Sequence, residues 1–170
     1  MSIKRFFRER IADRWGRQRF QPEAKIALDL PCAGRVNGEP RRKVLVVDDD
    51  PVISKALSFK LSSWGYAPVM AADGSEAIAA MREERPGLVL MDVNFPPDVA
   101  NGGVAWDGFS LAGWLRTMGG GGRLAVIFMT ASDPAHYQEQ VSANQGVGIF
   151  QKSKDLYVLL ELIKVACTQA

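Results

Sequence analysis

Cysteine is scarce in this chain: two residues among 170, Cys32 and Cys167, far apart in sequence and matching no metal-ligand or redox spacing. That excludes a disulfide framework or a Cys-based metal site and points to inert thiols in a reducing compartment. No apolar run approaches the roughly 20 residues needed to span a bilayer, and the N-terminus lacks the continuous apolar core of a secretion signal. A cytoplasmic protein is therefore expected.

The composition that remains, 47% hydrophobic and 24% charged residues, suits one globular domain plus an extension. The formal charge of +2 conceals an asymmetry. Residues 1–43 hold twelve Lys or Arg against five Asp or Glu, and the rest hold nine against fourteen. The two parts are expected to do different things. Ile3, Phe7, Ile11 and Trp15 recur at i, i+4 spacing amid Arg and Lys, which predicts an amphipathic basic helix over residues 3–20. Its apolar face needs a partner: its own domain, a second copy of the chain, an anionic membrane surface or another protein. Nucleic acid is the weaker option, because Arg without a reading motif supplies only non-specific phosphate attraction. Pro31, Gly34, Gly38 and Pro40 mark a linker over 31–42, so the chain divides into an extension and linker, 1–42, and a main domain, 43–170.

Four apolar runs in the main domain stop at polar residues. Leu88 to Met91 ends on Asp92, Val44 to Val47 on Asp48, Asp49 and Asp50, and Leu124 to Met129 on Thr130; Gly148 to Phe150 reaches Lys152 one residue later. Runs this short read as buried strands. Between them come helix signals. Asp50 before Pro51 is a capping carboxylate ahead of a proline at the first helical position, opening a helix to about Trp64 that buries Ile53, Leu57 and Leu61 and stops at Gly65. A second strand near 67–71 contains Pro68, whose missing amide argues for a sheet edge. Further helices are expected near 75–85, 109–118, 135–142 and 155–167, with Trp114 and Leu115 in the core and His136 on the surface. Five such β/α units imply a doubly wound α/β fold with a parallel sheet covered on both faces. Ligands of such sheets bind outside the carboxyl ends of the strands, where the acids, the hydroxyl and the amine converge.

Charge decides what that crevice can do. Asp48, Asp49 and Asp92 together carry about −3, and close carboxylates raise one another's pKa or recruit a cation. Mg²⁺ suits one or two carboxylates plus waters and phosphate oxygens, and with the Lys152 ammonium it brings the sum near zero. A carboxylate can also be a nucleophile that forms an aspartyl phosphate.

Four motifs appear in order: Val44-Leu-Val-Val-Asp-Asp-Asp-Pro51, Leu88-Val-Leu-Met-Asp-Val-Asn-Phe-Pro96, Val126-Ile-Phe-Met-Thr-Ala131 and Phe150-Gln-Lys152. Over about residues 43–168 the chain resembles the receiver domain of two-component response regulators. The resemblance implies a flavodoxin-like fold with strand order 2-1-3-4-5. It makes Asp92 the phosphoacceptor, Asp48 and Asp49 the acidic pair for Mg²⁺, and Asn94 a further metal ligand through its backbone carbonyl. Thr130 becomes the switch hydroxyl and Lys152 the phosphate-binding lysine, while Asp50 is read as a helix cap. A histidine kinase or phosphotransfer protein is the implied donor. Few residues follow the last helix, so output is expected through contacts with a downstream protein, with no specific DNA binding, and not through conventional enzymatic turnover.

Three departures from the family stand out. Ser153 replaces the usual proline after the lysine; a non-proline cis bond costs about 2.5 to 4 kcal/mol, so a trans bond and an altered turn are expected. Ile149 occupies the position of the switch aromatic, with Phe150 one residue late. The loop from Pro96 to Trp106 is longer than the compact family form and delays the usual Asp-Gly pair to Asp107 and Gly108; its place beside Asp92 suits covering the site or selecting a partner, with Trp106 a contact residue. A phosphorylation-independent adaptor is therefore a rival reading. A Mg²⁺-dependent phosphohydrolase is a weaker one, because Asn94 stands where an acid–base group is needed.

Overall fold

The structure is a computed structural model and describes residues 42–94, 107–118 and 124–169. The helix expected over 3–20, most of the 31–42 linker, Cys32 and the whole of the long loop from Pro96 to Trp106 lie outside the described residues.

Five parallel strands alternate with helices: β1 (Lys43–Val47), α1 (Pro51–Ser63), β2 (Ala67–Ala71), α2 (Gly74–Glu84), β3 (Leu88–Asp92), α3 (Gly108–Met118), β4 (Ala125–Thr130), a 3₁₀ turn (Pro134–Tyr137), α4 (Gln138–Ala143), β5 (Gly148–Gln151) and α5 (Leu156–Gln169). The strand order is β2-β1-β3-β4-β5, so the expected fold class holds and Pro68 sits on an edge strand. Every residue of β3 is buried, as the continuous apolar run requires of a central strand covered on both faces.

The pleat sorts the core into two layers. Val44, Val46, Leu88, Leu90, Ile127, Met129 and Phe150 face α1 and α5, where they meet Leu57, Leu61, Leu159 and Ile163. Leu45, Val47, Val89, Met91, Val126 and Phe128 face α2, α3 and α4. Fully burying one such aliphatic side chain is worth about 1.5–3 kcal/mol, so the sheet's register is strongly specified.

Local chemistry sets the helix ends. Asp50 accepts the N–H groups of Val52 at 2.8 Å and Ile53 at 3.3 Å, the expected cap. Helix α2 starts at Gly74, before Ser75, because Asp73 caps it, accepting the Glu76 N–H at 2.8 Å while Glu76 reaches back to the Ala72 N–H. It stops at Arg85, in the left-handed region at φ 46°, ahead of Pro86. Gly65, at φ 87°, ends the first helical segment as anticipated.

Two expectations need correction. The stretch near 135–142 is not one helix but a 3₁₀ turn followed by a six-residue α-helix; Asp133 and Pro134 start it one residue earlier, and Asp133 accepts the Ala135 N–H at 2.9 Å. Trp114 is not a core residue: it is 40% exposed while Leu115 is fully buried. The buried positions of α3 are 108, 109, 111, 112 and 115, and residue 114 falls off that stripe. No helix among the described residues is long and apolar enough to cross a membrane.

Candidate functional site

The carboxyl ends of the strands bring five of the singled-out side chains to one edge. Because β1 and β3 are adjacent and in register, Val47 opposite Met91, Asp48 and Asp92 emerge side by side. One carboxylate oxygen from each of Asp48, Asp49 and Asp92 lies within 4.8 Å of the other two. Asp48 and Asp92 are buried and Asp49 is exposed, so the trio has a closed floor and an open rim.

Lys152 reaches this trio from the turn after β5. Its Nζ lies 2.7 Å from Asp48 Oδ2 and 2.8 Å from Asp92 Oδ2. The contact to Asp48 is one of charge and not a well-aligned hydrogen bond. The turn is anchored by the Lys152 N–H, which donates to the Thr130 carbonyl at 2.8 Å, and by the Lys154 N–H, which donates to the Gln151 carbonyl at 2.9 Å. No described peptide bond is cis, so Lys152 reaches the site with the trans bond that Ser153 predicted.

The remaining valences are filled locally. Asp48 Oδ1 accepts the Asp50 N–H at 3.0 Å, and Ser54 Oγ donates to the Asp48 carbonyl at 3.1 Å. Asp92 Oδ1 accepts the Asn94 N–H at 3.3 Å. Thr130, fully buried, uses Oγ1 to accept the Ser132 N–H at 3.0 Å. Asp50 is committed to its helix cap and lies outside the trio.

Burial pushes the Asp48 carboxyl above its ordinary range; Lys152 and the Asp50 N–H pull the other way, and the Asp92 charge adds to the rise. Burial also opposes the charge on Lys152, but the close contact with Asp48, the hydrogen bond to Asp92 and the attraction of both carboxylates outweigh it, so the ammonium is held above its ordinary pKa. The two partners thus gain unequally. The geometry favours a charged Lys152, while the net cost of burial falls on Asp48.

Two residues at the site were not picked out by sequence reasoning. Tyr137 accepts a hydrogen bond from Asn94 Nδ2 at 3.1 Å across 43 residues, a pairing no spacing rule announces. Gly108, noted only as half of a displaced Asp-Gly pair, is fixed by close approach: a Cβ there would stand 2.0 Å from the Asp92 carbonyl oxygen. His136 is exposed, as expected. Ile149 and Phe150 pack on opposite faces of the sheet, Ile149 against the α2–α4 layer and Phe150 within the α1–α5 layer. Phe150 therefore does not take over the position one residue earlier.

The donor set fits a small hard cation. Three carboxylates and one ammonium leave about −2, which a divalent ion with oxygen preference offsets, and the exposed Asp49 keeps the rim open.

Comparison with known proteins agrees with this arrangement. The family model of the response regulator receiver domain matches residues 44–164. The probable transcriptional regulatory protein TcrX of Mycobacterium tuberculosis is 38% identical over 99 residues, 58% of this chain and 38% of its own length. The DNA-binding response regulator MtrA of Mycolicibacterium smegmatis is 45% identical over 56 residues, 33% of this chain and 25% of its own. The match thus spans well under half the length of these relatives. Among solved structures, the chemotaxis protein CheY4 of Vibrio cholerae superposes with a TM-score of 0.63 at 26% identity, covering 73% of this chain and 97% of that one. The response regulator TrrA of Thermotoga maritima, in complex with Mg²⁺ and BeF, gives a TM-score of 0.60 at 27% identity over 74% and 98% of the two chains. On the match over residues 44–164 and the strand order that carries it, this chain belongs to the response regulator receiver domain family.

Proposed function

We propose that the protein is a response regulator that accepts a phosphoryl group on Asp92 from a phosphohistidine of a partner kinase or phosphotransfer protein. The observation that carries this reading is the placement of Lys152 Nζ within 2.8 Å of both Asp48 and Asp92, with Asp49 at the open rim. In the transfer a carboxylate oxygen of Asp92 bonds to phosphorus, the P–N bond to the donor imidazole breaks, and the imidazole leaves with the electron pair. Burial keeps bulk water from Asp92, and Lys152 offsets charge that develops on the phosphoryl oxygens. Thr130, at the end of the neighbouring strand, accepts the Ser132 N–H through a lone pair of its hydroxyl, which leaves the O–H proton to donate to one of those oxygens. Asp48, Asp49, Asp92 and the Asn94 backbone carbonyl would hold Mg²⁺, which supplies further charge compensation when bound.

Output passes through protein contacts and not through turnover of a substrate. In this reading the protein works in the cytoplasm, where a kinase can draw on ATP. A phosphorylation-independent adaptor is the second reading, favoured by the aliphatic Ile149 packed where a switch aromatic is usual.

Incubating the full chain with a small acyl phosphate and Mg²⁺, then measuring intact mass, tests these readings. One phosphoryl increment, absent in Asp92→Asn, is the expected result. No increment supports the adaptor, and rapid turnover of many equivalents supports a hydrolase.

A further inference from the structure

Asn94 is tied at both ends. Its backbone N–H donates to Asp92 Oδ1 at 3.3 Å, and its side-chain Nδ2 donates to the Tyr137 hydroxyl at 3.1 Å. The two groups differ in freedom. Asn94 is exposed, whereas Tyr137 is half-buried against the α2–α4 layer. The Tyr137 ring centroid lies 6.2 Å from that of Phe109, which lies 4.5 Å from Phe128. Phe109 follows Gly108, the first residue of α3 and the one that closely approaches the Asp92 backbone, and Phe128 stands on β4 two residues before Thr130. The hydroxyl is thus mounted on an aromatic stack rooted in the elements that frame the site.

The chemistry of a carboxamide gives this bond its meaning. A free Asn side chain beside the reacting carboxylate offers two N–H donors and a carbonyl acceptor, and can swing to hold a water. With one donor committed to a fixed phenol, that freedom is gone. We infer that Tyr137 is a positioning residue: by fixing the Asn94 side chain it prolongs the lifetime of the phosphoryl group on Asp92. The inference rests on the reading of Asp92 as phosphoacceptor. The step it governs is hydrolysis. A water oxygen bonds to phosphorus, the bond between phosphorus and the Asp92 oxygen breaks, and its electron pair returns to the carboxylate. Both water protons leave on the inorganic phosphate, which equilibrates with solvent. While Tyr137 holds Asn94, the carboxamide does not orient that water; without the hydroxyl it does. The same bond ties the site to the turn leading into α4, a connection that does not run through Ile149.

The test loads the full chain with phosphoryl groups from a small acyl phosphate and Mg²⁺, removes the donor, and follows decay of the adduct by intact mass. Tyr137→Phe keeps the ring and removes only the hydroxyl. It is expected to load as wild type does and to lose the adduct about threefold faster or more, the scale of one net hydrogen bond. In an Asn94→Ala background, Tyr137→Phe is expected to change nothing further, which a merely structural role of the ring would not produce. Equal or slower decay in Tyr137→Phe, or a hydroxyl effect that persists without the Asn94 side chain, overturns the inference alone. A wild-type chain that takes no adduct overturns the phosphoacceptor reading and this inference with it.

Discussion

Sixty residues separate Asp92 from Lys152, yet the Lys152 ammonium donates to Asp92 Oδ2 at 2.8 Å. The same ammonium lies 2.7 Å from Asp48 Oδ2, so one cation stands against two buried carboxylates. Replacing it leaves both without a counter-charge.

Lys152→Met is therefore expected to lower stability at neutral pH by about 3 kcal/mol, the cost of breaking a buried ion pair from one side. Urea denaturation in a chelating buffer measures it. An unchanged midpoint would mean that Asp48 and Asp92 do not depend on this cation.

Proton linkage adds a pH dependence with a definite sign. The Asp48 pKa is raised in the folded protein above the 3.8 of an unperturbed carboxyl, so in the window just above 3.8 the native state binds more protons than the unfolded one. Stability from this group is full below 3.8 and is lost as pH rises through the folded value. Lys152, raised above 10.5, contributes stability that is full below 10.5 and lost as pH climbs through its folded value. Asp48→Asn is expected to melt no lower than wild type at pH 7 without divalent ions, and to flatten the mildly acidic limb of the stability profile.

Mg²⁺ is expected to raise the melting temperature of the wild-type chain, and a chelator to reverse the shift, because an ion bound only by the native state stabilises it by mass action. Asp49 is exposed and makes no cap or core contact of the kind Asp50 makes, so Asp49→Ala should melt like wild type without metal. It should then lose most of the Mg²⁺ response. A full response in this variant would remove Asp49 from the metal set.

Gly108→Ala places a methyl 2.0 Å from the Asp92 carbonyl oxygen and 2.9 Å from the Val93 Cα, both backbone atoms with little room to retreat. Relief requires the start of α3 or the end of β3 to move. A loss of about 1–3 kcal/mol is expected, as for other overpacking changes, together with slower phosphoryl loading. A variant that is as stable as wild type and loads normally would show that the approach can relax.

Much of this arrangement could be read from residues alone. The three inner strands β1, β3 and β4 are legible as near-continuous apolar runs, as strands covered on both faces require, and Asp48, Asp92 and Thr130, which end those runs, lie at the shared edge. Pro68 located the edge strand through its missing donor. What escaped depends on phase or on distance. Trp114 looks apolar enough for the core, but its side depends on where α3 begins, and Gly108 sets that beyond a long loop. The Asn94 to Tyr137 bond joins two polar groups on unrelated elements, and no periodicity carries such a pairing. Ile149 and Phe150 were an ambiguous pair until the pleat assigned them to opposite layers.

The Gly108 N–H donates to the Val93 carbonyl at 3.3 Å, so the backbone just after β3 and the first residue of α3 are held together, and with them the two ends of the 94–107 connection. The ends of that excursion are already closed, and lengthening a closed excursion costs only a slowly growing entropy, roughly 0.6 kcal/mol per doubling. The pinch makes the segment a module. A peptide tag or a sensor inserted between Asn94 and Asp107 is therefore expected to leave every register of the sheet unaltered.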